Sequence, residues 1–234
     1  MTDKRIGIIG AMESEVEILR NRMTITGTRD TARMTFYEGT LGNTEIVLVQ
    51  SGIGKVNAAV CAQILVSCFS VTHILNTGIA GSLSDDLDIG DIVVSTDAIQ
   101  HDYDIMAWGY APGQVPGMDV IAFPADEAFR KKAVEAVKSA APDVKVFEGR
   151  VVSGDQFISS QERKDSIKAV FGGLCTEMEG AAIAQVAWLN NIPFVIIRSI
   201  SDKADDEANR PFSEIEAAAA AHSSKITTAI IERL

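Results

Sequence analysis

Short apolar runs alternate with longer stretches of helical period along almost the whole chain, and this alternation constrains the fold more than any other feature. Residues 6–10 (IGIIG), 72–77 (THILNT) and 193–200 (PFVIIRSI) read as buried strands, and residues 91–98 and 145–152 as two more. Helical periodicity marks residues 13–22, 54–69, 126–140, 161–171, 181–189 and 212–234. Residues 34–41 and 44–50 are strand-like and flank Gly42-Asn43, a pair suited to the positive φ of a two-residue hairpin turn. Apart from this hairpin and the loop at 100–123, the connections are short. Such alternation predicts a three-layer α/β fold with a central, mostly parallel sheet flanked by helices. No linker, repeat or low-complexity segment divides residues 1–234, so a single domain is expected.

Composition narrows the function classes. A formal charge of −11 and the lack of any Lys/Arg cluster argue against nucleic acid and anionic membrane as partners. Cys61, Cys68 and Cys175 form no CxxC pair and read as reduced thiols. The apolar run near the N-terminus is short and meets Glu13 and Glu15, unlike a signal peptide. No segment approaches the roughly 18 apolar residues of a membrane span. The expected compartment is the cytoplasm.

Ligands of open α/β sheets bind beyond the carboxyl ends of the strands. The polar residues at those places are Glu13 and Glu15 after the first strand, the glycine-rich 78–81 segment, and 153–158 with Phe157. Glu177 and Glu179 stand at the mouth of an apolar helix, and Arg198, Ser201 and Asp202 follow Ile197. Each has an ordinary alternative. Glu15 reads equally as an exposed helix residue, Phe157 as a core aromatic, Arg198 as the partner of a core carboxylate and Asp202 as a strand terminator. A carboxylate at a helix start is also favoured by the macrodipole alone.

Several motifs fail on spacing. Gly7-Ile8-Ile9-Gly10 lacks the G-x-G-x-x-G pattern of a dinucleotide turn. Gly52-Ile53-Gly54-Lys55-Val56 has Val56 where a phosphate loop places Ser or Thr, and reads as a turn that starts a helix. His101-Asp102-Tyr103-Asp104 offers ligand types without metal-site spacing. No G-x-S-x-G elbow is present.

Taken together, "IGIIGAMESEVEIL", "SGIGKVNAA", "NTGIAGS", "GDIVVS", "VVSGDQFI", "EMEGAAIAQVA" and "RSISDKAD" resemble the 5′-methylthioadenosine/S-adenosylhomocysteine nucleosidases of the nucleoside phosphorylase/hydrolase superfamily. The resemblance runs in order from Ile6 to the last helix. It implies one α/β domain whose mixed sheet curls toward a barrel, a homodimer, and hydrolysis of the N-glycosidic bond of small adenosine thioethers. By the same resemblance Glu15 is the water-activating base and Asp202 the acid at adenine N7. Glu179 binds the ribose hydroxyls with Met178 against the sugar. Phe157 stacks on the purine and the Ile158 backbone reads its edge. Arg198 lies near Glu15 and Glu179, while Gly81 and its neighbours Met12, Ile79 and Ser201 line the pocket. Phe212 closes the site, and Ile105, Trp108 and Pro116 reach a partner subunit's pocket.

The chemistry suits these residue types. Cleaving a ribosyl C–N bond builds positive charge on the sugar and negative charge on the base. An acid at N7 improves the leaving group, an effect that commonly contributes about 10²–10⁴-fold. Asp202 must then carry its proton near pH 7, which requires a desolvated setting. Glu15 and Glu179 are expected to be ionised, Glu179 stabilising the oxocarbenium-like charge. No metal or organic cofactor is required. Ile79 replaces the Ser or Thr common in the family, which removes a hydroxyl near the acid, and Trp108 is larger than the usual phenyl group. Three rivals remain: a phosphorylase on the same fold, a futalosine or aminofutalosine hydrolase, and a non-catalytic nucleoside-binding protein. A phosphorylase needs cationic donors for phosphate, whereas the loop after the first strand carries Met12, Glu13 and Glu15.

Overall fold

The computed structural model describes residues 4–205 and 213–233. Phe212, expected to close the site, lies outside the described residues. The first half of the chain runs β1 (Arg5–Gly10), α1 (Glu13–Arg22), β2 (Thr24–Thr31), β3 (Met34–Leu41), β4 (Thr44–Gln50) and α2 (Lys55–Phe69). Then follow β5 (His73–Ser82), β6 (Ile92–Gln100), a 3₁₀ turn at Met106–Trp108, β7 (Phe123–Pro124), α3 (Glu127–Ala140), β8 (Val146–Ser153) and α4 (Gln161–Phe171). The chain ends with β9 (Cys175–Glu177), α5 (Gly180–Leu189), β10 (Phe194–Asp202) and α6 (Ser213–Ile231).

One mixed sheet holds all of the strands. Parallel ladders join β4, β1, β5 and β10 in one block and β6, β8 and β9 in another. Antiparallel seams link the blocks, β10 to β6 and β9 to β5. Because β10 also pairs with β5, the path β5–β9–β8–β6–β10 closes on itself as a barrel-like ring. The β4–β3–β2 meander extends from β1 as the remaining edge.

Helices cover the sheet in two layers with a core in each. Phe36, Leu65, Phe69 and Ile183 belong to the cluster that α2 and α5 close, and Val16, Leu19, Val134, Ile226 and Ile230 to the one under α1, α3 and α6. Fully burying each Leu, Ile, Val or Phe contributes about 1.5–3 kcal/mol, so both layers hold the ring in shape. A smaller cluster of Leu83, Ile158, Ile167 and Phe171 seats α4 beside the ring. Among the described residues no helix is long and apolar enough to cross a membrane.

Two differences from the sequence reading matter for function. Residues 78–81 and 198–202 do not follow their strands but lie inside β5 and β10. These strands pair with each other from Ile74 to Gly81, and the ladder satisfies backbone groups that would need water in a loop. The register slips between Ile200 and Asp202, setting Asp202 opposite Gly81. A bulge of this kind re-aims a side chain at the rim of a barrel. The second difference is three strands the periodicity does not show, β2, which is largely solvated, the two-residue β7 and the three-residue β9.

Candidate active site

Glu15 sits in the first turn of α1 yet is buried. Its side chain folds back over the helix start, as an N3 glutamate does when it satisfies orphan amides. Oε2 accepts hydrogen bonds from the Ala11 amide at 2.6 Å and the Met12 amide at 3.0 Å. Oε1 accepts from the Ile79 amide at 3.1 Å, tying β5 to the helix. Burial pushes the Glu15 carboxyl above its ordinary range, while the Arg198 charge and these amides pull it back only in part. Its exposed-helix alternative is thereby removed. Gly78 permits this geometry: a Cβ there would overlap both Arg198 Nη1 and Glu15 Oε1.

Arg198 is 1% exposed and lies under the site. Nη2 donates to Glu177 Oε2 and, at 2.6 Å, to Asn76 Oδ1. Glu179 Oε2 is 3.8 Å from the same nitrogen, too far for a hydrogen bond. Glu177 is the fully bonded carboxylate of the pair. It accepts from Ser153 Oγ and Arg198, and from the amides of Glu179 at 3.0 Å and Gly180 at 2.7 Å, which start α5. Glu179 instead accepts at Oε1 from the Gly54 amide, 2.8 Å away. Gly54 has φ 98°, a conformation that favours glycine and turns its N–H toward Glu179. Burial and then the Glu177 charge raise the Glu179 carboxyl to about 7, beyond what Arg198 and Gly54 offset. Burial thus opposes the ionised form expected of Glu179.

Asp202 ends β10, with Oδ1 accepting from the Ala204 amide at 2.8 Å and Oδ2 from Ser201 Oγ at 2.8 Å. Ser201 thus supplies a hydroxyl to this carboxyl where Ile79 supplies none. Glu15, Glu179 and Asp202 open onto one cavity of about 520 Å³, within the usual size for a small-molecule site. Met12, Ile79, Gly81, Phe157, Met178 and Ser201 also line it. Phe157 is 52% exposed and stands at the rim, so the core-aromatic alternative fails. Ile158 is buried and lines a smaller adjoining cavity with Phe157 and Asp202. Ile105, Trp108 and Pro116 are not among the residues lining this cavity, and Trp108 is 78% exposed.

Comparison with known proteins gives this geometry a family. The model of the phosphorylase superfamily matches residues 5–232. A 5′-methylthioadenosine/S-adenosylhomocysteine nucleosidase of an Exiguobacterium species is 44% identical over 231 residues, 98% of each chain. The chain belongs to this nucleosidase family. Among solved nucleosidases, that of Neisseria meningitidis in complex with methylthio-immucillin-A superposes with a TM-score of 0.94 at 40% identity, covering 99% of this chain and 100% of the other. The futalosine hydrolase of Helicobacter pylori has a TM-score of 0.92 at 33% identity, covering 99% and 98%.

For a member of the nucleosidase family, sequence reasoning assigns no role to four supporting residues, although Ser153 and Thr176 fall in segments it places after strands. Asn76 bridges the Ile9 carbonyl, at 3.0 Å, and Arg198. Ser153 joins Glu177 to the Ala181 amide at 2.7 Å. Ile53 and Thr176 line the cavity. Only their places beside strand ends could have flagged them. The rejected motifs also resolve: Lys55 opens α2 and pairs with Asp102 at 2.6 Å. Among the described residues no group of three His, Cys, Asp or Glu side chains is arranged to hold a metal.

Proposed function

We propose that this chain hydrolyses the N-glycosidic bond of 5′-methylthioadenosine and S-adenosylhomocysteine, releasing adenine and the thioribose product. The observation that carries the reading is the pair of carboxylates lining one cavity, Glu15 held by three amides and Asp202 held by Ser201 and Ala204. In the proposed complex the purine stacks on Phe157 with N7 toward Asp202, and the Ile158 backbone reads its edge. The ribose lies over Met178 with its hydroxyls on Glu179. Asp202 gives a proton to N7 as the C–N bond breaks, once the purine has covered it and excluded water. Glu15 takes a proton from the attacking water, a task its raised proton affinity suits. Negative carboxylate at Glu179 faces the positive charge that grows on the sugar.

Charge favours water over phosphate as the nucleophile. Among the described residues the cavity lining contains Glu15, Glu177, Glu179 and Asp202 but no Lys or Arg. Arg198 is buried beneath it and already engaged by Glu177 and Asn76. A dianionic phosphate would meet the repulsion of several carboxylates, against a single guanidinium they already share.

The proposal extends to a homodimer in the cytoplasm. Ile53, Val56 and Val60 form an exposed apolar stripe at the start of α2, and Met106 and Trp108 project from the 3₁₀ turn. Exposed apolar surface of this sort marks an interface, and the loop bearing Ile105, Trp108 and Pro116 would cover the partner's pocket. The three free cysteines suit a reducing compartment.

The test is a panel of 5′-methylthioadenosine, S-adenosylhomocysteine and aminofutalosine, with adenine release followed for each. Adenine from both thioethers supports the reading. Release from aminofutalosine alone would assign the chain to the other hydrolase activity found on this fold, and release from none would remove the catalytic reading.

A further inference from the structure

Two stretches whose side chains have been given no catalytic role, Gly52–Val56 and His101–Asp104, meet beside the cavity. Lys55 Nζ donates to Asp102 Oδ1 at 2.6 Å and to Gln100 Oε1 at 3.0 Å. The second Asp102 oxygen accepts from the Asp155 amide at 2.9 Å. Asp155 Oδ1 in turn accepts from the Lys55 amide at 2.8 Å, which closes a three-cornered ring of contacts. The Lys55 and Asp102 side chains are only 17% and 14% exposed, so this pair is shielded from much of the screening that makes surface bridges weak.

Two of the three corners connect to residues that face the cavity, and Asp102 joins those two to each other. Gly54, next to Lys55, gives its amide to Glu179. Phe157 follows Asp155 by two residues, and Gly154 between them and β8 donates its amide to the Glu177 carbonyl at 3.1 Å. Within the proposed nucleosidase reading, on which this inference rests, one corner thus touches the sugar side and another the purine side. We propose that Lys55, Asp102 and Asp155 act as a latch that positions Glu179 and Phe157 relative to each other, with Asp102 as its central positioning residue.

The latch touches no reacting atom, so it acts on substrate binding. Asp102→Asn leaves the Lys55 ammonium without its carboxylate partner, and Lys55→Met leaves Asp102 holding one loop instead of two. Steady-state hydrolysis of 5′-methylthioadenosine is measured for the full chain, for each variant and for the double variant, together with thermal unfolding. The latch predicts that KM rises about tenfold in each single variant while kcat stays within about threefold. It also predicts that the double variant is no worse than either single one, because coupled residues are not additive. Asp155→Asn, at an exposed position, raises KM in the same direction and keeps the test open if a single variant at Lys55 or Asp102 fails to fold. Lowered melting temperatures with unchanged KM, or single effects that multiply in the double variant, would overturn the latch. An inactive wild-type chain would instead overturn the nucleosidase reading, so the two failures are distinct.

Discussion

Arg198 stands 3.8 Å from Glu179, near enough to attract its charge but not to hydrogen-bond it, while the same nitrogen is bound by Glu177. Three buried carboxylates, Glu15, Glu177 and Glu179, therefore share the field of one guanidinium. The arginine is hydrogen-bonded to Glu177, and the two carboxylates without that bond, Glu15 and Glu179, have a raised proton affinity.

Glu179 links stability to pH. Its carboxyl is raised to about 7 in the folded chain from 4.5 when unperturbed, so the folded state binds the proton more tightly. That contribution is complete below about pH 4.5 and is lost as pH rises through 7; it amounts to at most about 3 kcal/mol. Glu179→Gln keeps an oxygen for the Gly54 amide and removes the buried charge. Thermal unfolding is expected to show this variant gaining stability over wild type at pH 8 and gaining little at pH 5. An equal difference at both pH values would refute the assignment.

Gly78→Ala probes the contact between the strands. Its Cβ would overlap Arg198 Nη1 and Glu15 Oε1; the guanidinium is held through Nη2 by Asn76 and Glu177, and Oε1 by the Ile79 amide. Displacing Glu15, the proposed base, by about 1 Å is expected to lower kcat/KM by about 10²-fold. Adenine release with and without this methyl group is the measurement, and a loss below threefold would show that the contact relaxes freely.

Asp202→Asn and Glu15→Gln are each expected to lower kcat by about 10²–10⁴-fold. They differ in stability. Both Glu15 oxygens accept backbone amides, so a glutamine must turn its NH₂ against at least one donor and loses about 1–3 kcal/mol. Asp202 stands at the end of its strand, where Ser201 Oγ can reverse its role and accept. Chemical denaturation should therefore separate the two variants, with Glu15→Gln the less stable.

Val56→Asp places a charge on the exposed apolar stripe of α2, where Val56 is 73% exposed. Sedimentation is expected to report a monomer, with KM for the thioether raised because the partner's loop no longer covers the pocket. A monomeric wild-type chain would refute the dimer.

How far the sequence carried this account depends on what each residue answers to. The hairpin at Gly42-Asn43, the helix after β1 and the apolar helix α5 have local signals, and they stand where periodicity puts them. β2 does not, because its polar residues face solvent on an edge strand and carry no alternation. Arg198 was legible as a buried cation near carboxylates. That its tight partner is Glu177 was not, since this depends on the register of β10 against β5 and on Ser153 arriving from β8. The placing of Asp202 likewise follows from a bulge, which no composition announces.

The most direct test of the central claim is adenine release from 5′-methylthioadenosine in phosphate-free buffer, with the sugar product identified by mass spectrometry before and after phosphate is added. A cavity lined by carboxylates, with its arginine bound beneath it, predicts full turnover without phosphate, no acceleration on adding it, and free methylthioribose as the product. A strict requirement for phosphate, with methylthioribose 1-phosphate as the product, would contradict it.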